Sequence, residues 1–359
     1  MPDGLAVRSA GGRILVTADA VGGVWRYAVE LAAGLAAQGV GAVLAVLGPR
    51  PGPAQRAEAE AIPGVTLVET GLPLDWTAPD AASLAAASAG LRTLAAMPGV
   101  RSAHLHAPAL VGESPWPVPV VAVAHSCVAT WWRAVWGGPL PPDLTWRAAA
   151  TGAGLRRAGL AVAPSRAFAD ALRSEYGPAR IEVIHNGRRA VPDAAPAGRA
   201  VLAAGRLWDE GKGMQALDCA AAALDAPVRA AGSVQGPGGA AHFAALDLLG
   251  ALDEAGMARA RSTATVFASP ACYEPFGFAV LEAAQAGQAL VLSDIPAFRE
   301  LWEGAALFAS EGGLAAALRR ALDDPAPLAA AARERAQRYT AEAMARRTLA
   351  LHEAAWAAC

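Results

Sequence analysis

Apolar residues come along this chain in short, nearly unbroken runs, separated by longer stretches in which they recur with helical spacing. The first run, RILVTAD (Arg13 to Asp19), predicts an opening strand. A Gly-Gly turn then feeds AVGGVWRYAVELAAGLAAQGV, an amphipathic helix ending near Gly39, and GAVLAVLG supplies the next strand. Strand, helix, strand is a βαβ unit, which calls for a parallel sheet. A Pro/Gly/Ala-rich connector over residues 49–64 leads to the strand VTLVE, the helix AASLAAASAGLRTLAAM and a strand ending in AHLHAPAL. PVPVVAVAHS predicts a buried strand ending at His125, and GLAVAPSRAFADALRSEYG reads strand, turn, helix with Ser165 as the N-cap. IEVIHNG adds a strand and an Asn-Gly turn.

A Pro/Ala/Gly linker follows, placing a domain boundary between about residues 187 and 199, and the pattern then starts again. AVLAAGR predicts a strand ending at Gly205, with a Gly-Lys-Gly loop before the next helix. APVRAAGSV is another strand, after which a helical stretch leads to the buried strand TATVFASPA. AVLEAAQAG follows as a helix of good helix formers closed by Gly287, and most of the remainder is helical. At 359 residues the chain is too long for one core. Three segments result: an α/β domain over residues 1–190, a second over 199–340, and a C-terminal helix over 341–359.

Composition removes several classes of function. The net charge is −2 with 17% charged residues, which leaves no basic face for nucleic acid. Cys127, Cys219, Cys272 and Cys359 are scattered without a CxxC pair, fitting a reducing compartment and supporting neither a disulfide framework nor a metal site. The opening MPDGLAVRSAGG lacks a basic and then apolar leader pattern, and the long apolar stretches are broken by Arg, Glu, Gly or Pro. The expectation is a cytoplasmic protein. The abundance of alanine and arginine suggests a GC-rich bacterial genome.

The chemistry concentrates between Ser269 and Glu300, SPACYEPFGFAVLEAAQAGQALVLSDIPAFRE. Glu274 lies on the loop between strand and helix, and Glu282 lies one turn into the helix. The first backbone N–H groups of that helix, around Phe276, Gly277 and Phe278, lack intrahelical partners and with the helix dipole form a seat for a phosphate. Carboxylates beside such a seat accept hydrogen bonds from the hydroxyls of a sugar or ribose. Arg206 and Lys212 follow the strand of another βα turn, where they can neutralise a diphosphate. The 30 Lys and Arg residues include a single lysine, Lys212, which points to a need for a compact ammonium there. Glu300 is expected at a further loop on the same edge, near the base or ribose.

Glu274-Pro-Phe-Gly-Phe278, then Leu281-Glu282-Ala283 and SDIPAFRE, resemble the signature of the retaining glycosyltransferases of family four. The resemblance implies the GT-B fold, an α/β architecture of two Rossmann-like domains facing across a cleft, with a C-terminal helix crossing back. It implies transfer of a hexose-type sugar from a nucleotide-diphospho-sugar, UDP or GDP in particular, to a hydroxyl of a saccharide or lipid-linked saccharide. Neither cofactor nor metal is implied. Glu274 would hold the donor sugar and Glu282 the ribose, while Arg206 and Lys212 would stabilise the departing nucleotide. Gly22 and Gly23 would form a backbone cradle opposite, and His125 would lie near the transferred sugar. The family usually has Val-Asp after the Asn-Gly turn; Arg188 and Arg189 stand here instead, so the role of that Asp is not carried over, and while two arginines near the hinge could aid the nucleotide's charge, a solvated turn is expected.

Other features stay open. Trp131, Trp132 and Trp136 crowd one segment, and one or two of them could line the acceptor side or meet a membrane surface, although most of the chain's indoles should pack the core. His104 and His106 read as structural, with His106 a candidate for the cleft. An epimerase of the same fold and a non-catalytic sugar-nucleotide binder remain alternatives. A nicotinamide oxidoreductase would need a dinucleotide fingerprint, which Gly152-Ala-Gly154, with Arg157 at the third place, does not supply. The oligomeric state is not readable.

Overall fold

The computed structural model describes residues 12–177, 180–190 and 195–358. Residues 1–11, which carry most of the leader reading, and Cys359 lie outside the described residues. The first domain contains strands β1 (Arg13–Asp19), β2 (Gly41–Leu47), β3 (Val65–Glu69), β4 (Val100–Leu105), β5 (Val120–Val123), β6 (Leu160–Ala163) and β7 (Ile181–Val183). They form one parallel sheet in the order β3-β2-β1-β4-β5-β6-β7. Its helices are α1 (Gly23–Ala36), α2 (Pro53–Glu60), α3 (Ala81–Ala95), α4 (Val128–Val135), α5 (Pro142–Arg157) and α6 (Arg166–Tyr176). Alternate side chains of the central strands enter different cores. Ile14, Val16 and Ala18 pack under α1, whereas Leu15 joins Val43, Ala45 and Leu47 under α3.

The second domain repeats the plan with β8 (Val201–Ala204), β9 (Val228–Ala231), a small hairpin β10–β11 (Gln235–Gly236 and Gly239–Ala240), β12 (Asp247–Gly250), β13 (Val266–Ser269), β14 (Ala289–Ser293) and β15 (Leu307–Ala309). Its parallel sheet runs β12-β9-β8-β13-β14-β15. The helices are α7 (Met214–Ala221), α8 (Glu254–Ser262), α9 (Phe278–Ala286), α10 (Pro296–Trp302), α11 (Leu314–Asp323) and α12 (Pro325–Ala336). The last helix, α13 (Ala341–Ala357), returns to the first domain, where Met344, Ala345 and Leu349 join the core beneath α1. Trp356 fixes it there, its indole N–H donating to Ser102 Oγ at 2.9 Å. This is the GT-B arrangement.

Two elements differ from the expectation. The 49–64 connector contains α2, which Pro53 starts and the Gln55 side chain caps by accepting from Gly52 N. The stretch expected to be helical before β13 contains the edge strand β12, largely exposed and so lacking the apolar alternation that marks a strand. Among the described residues no helix is long and apolar enough to cross a membrane.

In both sheets the strand order reverses beside the first strand of the domain, at β1/β4 and at β8/β13. The crevice outside the strand ends at such a switch point is where ligands bind in open α/β sheets. The two crevices open towards one another.

Candidate active site

The second domain's crevice is built by the loops that follow β8 and β13. After β8, Asp209 folds back on Gly211, its Oδ1 accepting from the backbone N–H at 3.0 Å, and its Oδ2 accepts from Arg206 Nη2 at 2.8 Å. This short turn delivers Lys212, whose Nζ lies 2.7 Å from Glu274 Oε2 on the β13 loop. The two loops also meet through backbone. Gly213 takes φ +65°, and a Cβ there would fall 2.2 Å from the Pro270 carbonyl oxygen. Gly213→Ala therefore combines a left-handed penalty of about 1–2 kcal/mol with an overlap that only a backbone shift relieves. The expected loss is about 2–4 kcal/mol, adding an overpacking cost at the low end of ~1–3 kcal/mol, seen as a lower urea midpoint. An unchanged midpoint would show that the seam between these loops is slack.

The β13 loop turns into α9 at Gly277, which adopts φ 92° and would bring a Cβ to 3.3–3.4 Å from Phe298, Val280 and Glu274. No side chain caps this helix, so its first amides stay free for a ligand. Gly287 ends α9 in the left-handed conformation expected of it. Phe276 is buried and packs edge-on against Phe278 and Tyr339, so its side chain serves the core and leaves only backbone for the cleft.

The first domain closes over this loop. Gly22 is the N-cap of α1 at φ 87°, and a Cβ on Gly23 would meet the Phe278 ring at 3.4 Å. The N-termini of α1 and α9 thus face each other, two positive dipole ends across one cleft. Tyr273, next to Glu274, accepts from Cys127 N at 3.0 Å, and Ser165 Oγ donates to the Pro275 carbonyl at 2.7 Å. Ser165 also caps α6, accepting from Phe168 N.

His125 follows β5 with its ring edge against Tyr27, at 4.4 Å between centroids, and its enclosed Nε2 has no protein partner. Burial, with a smaller contribution from the nearby His106, pushes its pKa down to about 3, so the imidazole is neutral and free to donate or accept one hydrogen bond. His106 Nδ1 meets Thr17 Oγ1 at 2.7 Å, and its Nε2 too is enclosed without a partner.

Three expectations need correction. Glu300 lies on α10 and not on a loop, because Pro296 starts a helix at once. Its oxygens accept from Arg166 N and Ala167 N at 2.9 and 2.7 Å, and it meets His185 Nε2 at 3.1 Å. It is a clasp from the second domain onto the exposed start of α6, and these bonds hold its carboxyl below the usual range against the opposing effect of burial. Trp131 does not stand free on the acceptor side: its indole N–H donates to Asp209 Oδ1 at 3.0 Å, tying α4 to the loop after β8. Trp132 stacks at a tilt between Trp131 and the 56% exposed Trp136. Arg188 and Arg189 form no solvated turn, since Arg188 is buried against Glu282 and Glu254, and Arg189 pairs with Glu30 at 2.8 Å.

Sequence reasoning missed Asp209, the hub joining Arg206, Gly211 and Trp131. The signal was an Asp two residues before a glycine, the pattern of a side chain bonding its own backbone. Among the described residues no group of three His, Cys, Asp or Glu side chains is arranged to hold a metal ion.

Residues 21–189 match the model of Glycosyltransferase Family 4, and residues 198–324 match that of Glycosyl transferases group 1. The chain belongs to the glycosyltransferases of GT-B fold. Among solved structures it resembles sucrose-phosphate synthase from Thermosynechococcus elongatus, at 20% identity and TM-score 0.75 over 97% of this chain and 100% of that one. HepE from Anabaena, solved with UDP and glucose, matches at 15% identity and TM-score 0.70 over 95% and 99% of the two chains. WaaG, a glycosyltransferase of lipopolysaccharide biosynthesis, matches at 14% identity and TM-score 0.68 over 94% and 98%. No curated protein matches the sequence significantly.

Proposed function

We propose that the chain is a retaining glycosyltransferase that moves a hexose-type sugar from a nucleotide-diphospho-sugar to a hydroxyl of a saccharide or glycolipid. One observation carries this: the Lys212–Glu274 pair sits at the second sheet's switch point, with Arg206 on the same loop and the free N-terminus of α9 beside it. In this reading the diphosphate lies against α9, with Arg206 and Lys212 neutralising the charge that grows on it as the sugar leaves. Such preorganised charge is often the largest catalytic contribution. Glu274 accepts from hydroxyls of the donor sugar, and Glu282 from those of the ribose. The N-terminus of α1 closes over the diphosphate from the opposite domain, and neutral His125 faces the sugar. Retention follows if the acceptor attacks from the leaving-group side and the departing phosphate takes its proton. Trp132 and Trp136 then stand on the acceptor side. HepE, a protein of the same fold, was solved with UDP and glucose, in keeping with a nucleotide-sugar donor, and a UDP or GDP sugar is the expected one.

The test is a thermal-shift panel of UDP, GDP and ADP, each beside its glucose conjugate. A ligand bound only by the folded state at a hundred times its Kd adds about 2.7 kcal/mol, a shift of several degrees. One base is expected to give this shift, and Glu282→Ala or Lys212→Ala to abolish it. A well-folded sample that shifts with none of the six would end the donor reading.

A further inference from the structure

We infer that Arg188, carried on the segment joining the two domains, is a positioning residue for the ribose carboxylate Glu282, acting together with Arg261. The inference rests on the reading of Glu282 as the ribose seat and adds what holds that seat in place. One oxygen of Glu282 faces the Arg188 guanidinium, and the other lies 3.4 Å from Arg261 Nη1. Glu254 closes the circle, 2.8 Å from Arg188 Nη2 and 3.1 Å from Arg261 Nη2. Two arginines and two carboxylates therefore alternate around a ring, with the arginine side chains only 6% and 4% exposed.

The ring does two things for a ribose. Each oxygen of Glu282 takes one arginine and keeps a lone pair, so both oxygens stay available to neighbouring hydroxyls while the carboxylate plane is fixed. The arginines also offset the carboxylate's charge, which would otherwise repel a diphosphate bound on the same helix. A lysine could supply the charge but not the planar fork that bridges two carboxylates.

Arg188 is itself held where the chain passes between domains. Its N–H donates to the Tyr339 carbonyl at 3.2 Å, next to the start of α13, and a Cβ on the preceding Gly187 would fall 2.0 Å from Thr340 O. The arm that seats Glu282 is thus anchored to both crossings between the domains.

The experiment measures Kd for UDP and 2′-deoxy-UDP, and likewise for the GDP and ADP pairs, using whichever base binds the wild type most tightly. The wild type is expected to favour the ribonucleotide by at least about tenfold, roughly the worth of one charge-assisted hydrogen bond. Glu282→Gln and Arg188→Gln should each bring the ratio near one, and the double variant should lose nothing further, because both act on the same contact. A folded Arg188→Gln protein that keeps the wild-type ratio overturns the inference while the Glu282 reading stands. A wild type without preference, or a Glu282→Gln variant that keeps it, overturns the Glu282 reading and the inference with it. If Arg188→Gln does not fold, Arg188→Lys decides: a reduced ratio supports the positioning role, and an intact ratio refutes it.

Discussion

Lys212→Ala is expected to lower kcat by about 10²–10³-fold, the equivalent of ~2.7–4 kcal/mol of transition-state stabilisation, while donor KM changes far less. The ammonium is fixed by Glu274 at 2.7 Å, and its alkyl stem passes 3.8 Å from the site of a Cβ on Gly205. A charge held this way is already in place when negative charge develops on the leaving diphosphate, so its effect falls on the chemical step. Lys212→Arg should rescue poorly. The larger guanidinium has to pass beside Gly205, and its fork satisfies Glu274 instead of leaving a compact charge for the phosphate. Until an acceptor is found, the rate is measurable as nucleoside diphosphate released to water. Because the variant also leaves Glu274 without its cation, its urea midpoint is compared with that of Glu274→Gln, which separates lost folding from lost catalysis. A raised donor KM with kcat intact would falsify the leaving-group role and leave Lys212 as a binding residue.

The donor loop could be read from sequence because its determinants are local. A buried apolar strand, a glycine that alone tolerates the turn, an uncapped helix start and a closing glycine lie within about two dozen residues, and the structure reproduces each of them. The β8 loop was legible for the same reason, since Arg206 and Lys212 follow a strand directly. What was not legible depends on the second domain meeting the first. No local pattern says that Glu300 will clasp α6, that Trp131 will reach Asp209, or that Arg188 will be buried among carboxylates from α8 and α9. Arg-Arg after Asn-Gly reads as a solvated turn until α13 crosses over it. Strand β12 escaped for a different reason, being an exposed edge with little apolar pattern to see.

Wild-type stability is expected to fall by a few kcal/mol between pH 7 and pH 5, and the cause is a line of buried histidines beneath α13. Trp356 donates to Ser102 Oγ, which lies 2.8 Å from His352 Nδ1; His352 Nε2 is 3.0 Å from His104 Nδ1, and His104 Nε2 is 2.9 Å from Tyr27 OH. Indole N–H only donates, so the buried Ser102 hydroxyl satisfies its own proton by donating to His352 Nδ1. His352 Nε2–H then donates to His104 Nδ1, and His104 Nε2–H to Tyr27. Each imidazole carries one proton, and a second on either would set two N–H groups against one another or against the serine proton. Burial holds His352 down to about 3 and His106 to about 4, and lowers His104 strongly, with the neighbouring imidazoles adding to the effect. An unfolded histidine titrates near 6.5, so below that pH the unfolded chain takes up protons that the fold excludes, and stability drops by up to about 1.4 kcal/mol per pH unit for each. Asp19 works in the opposite direction. Burial raises its carboxyl to about 7, with Asp75 adding to the rise, so its protonation returns stability as pH falls from 7 towards 3.8. Burial raises Asp75 as well, but four imidazoles, with His125 held down to about 3 like His352, against two carboxyls leave a net loss. Urea midpoints at pH 7, 6 and 5 measure it. His352→Gln isolates one titration: it removes one excluded proton, so the variant's pH slope should be shallower than wild type by about 1 kcal/mol per unit below 6.5. Parallel slopes would mean that α13 opens locally and lets His352 protonate without unfolding the domain, which would make the chain's return crossing the weakest contact in the molecule.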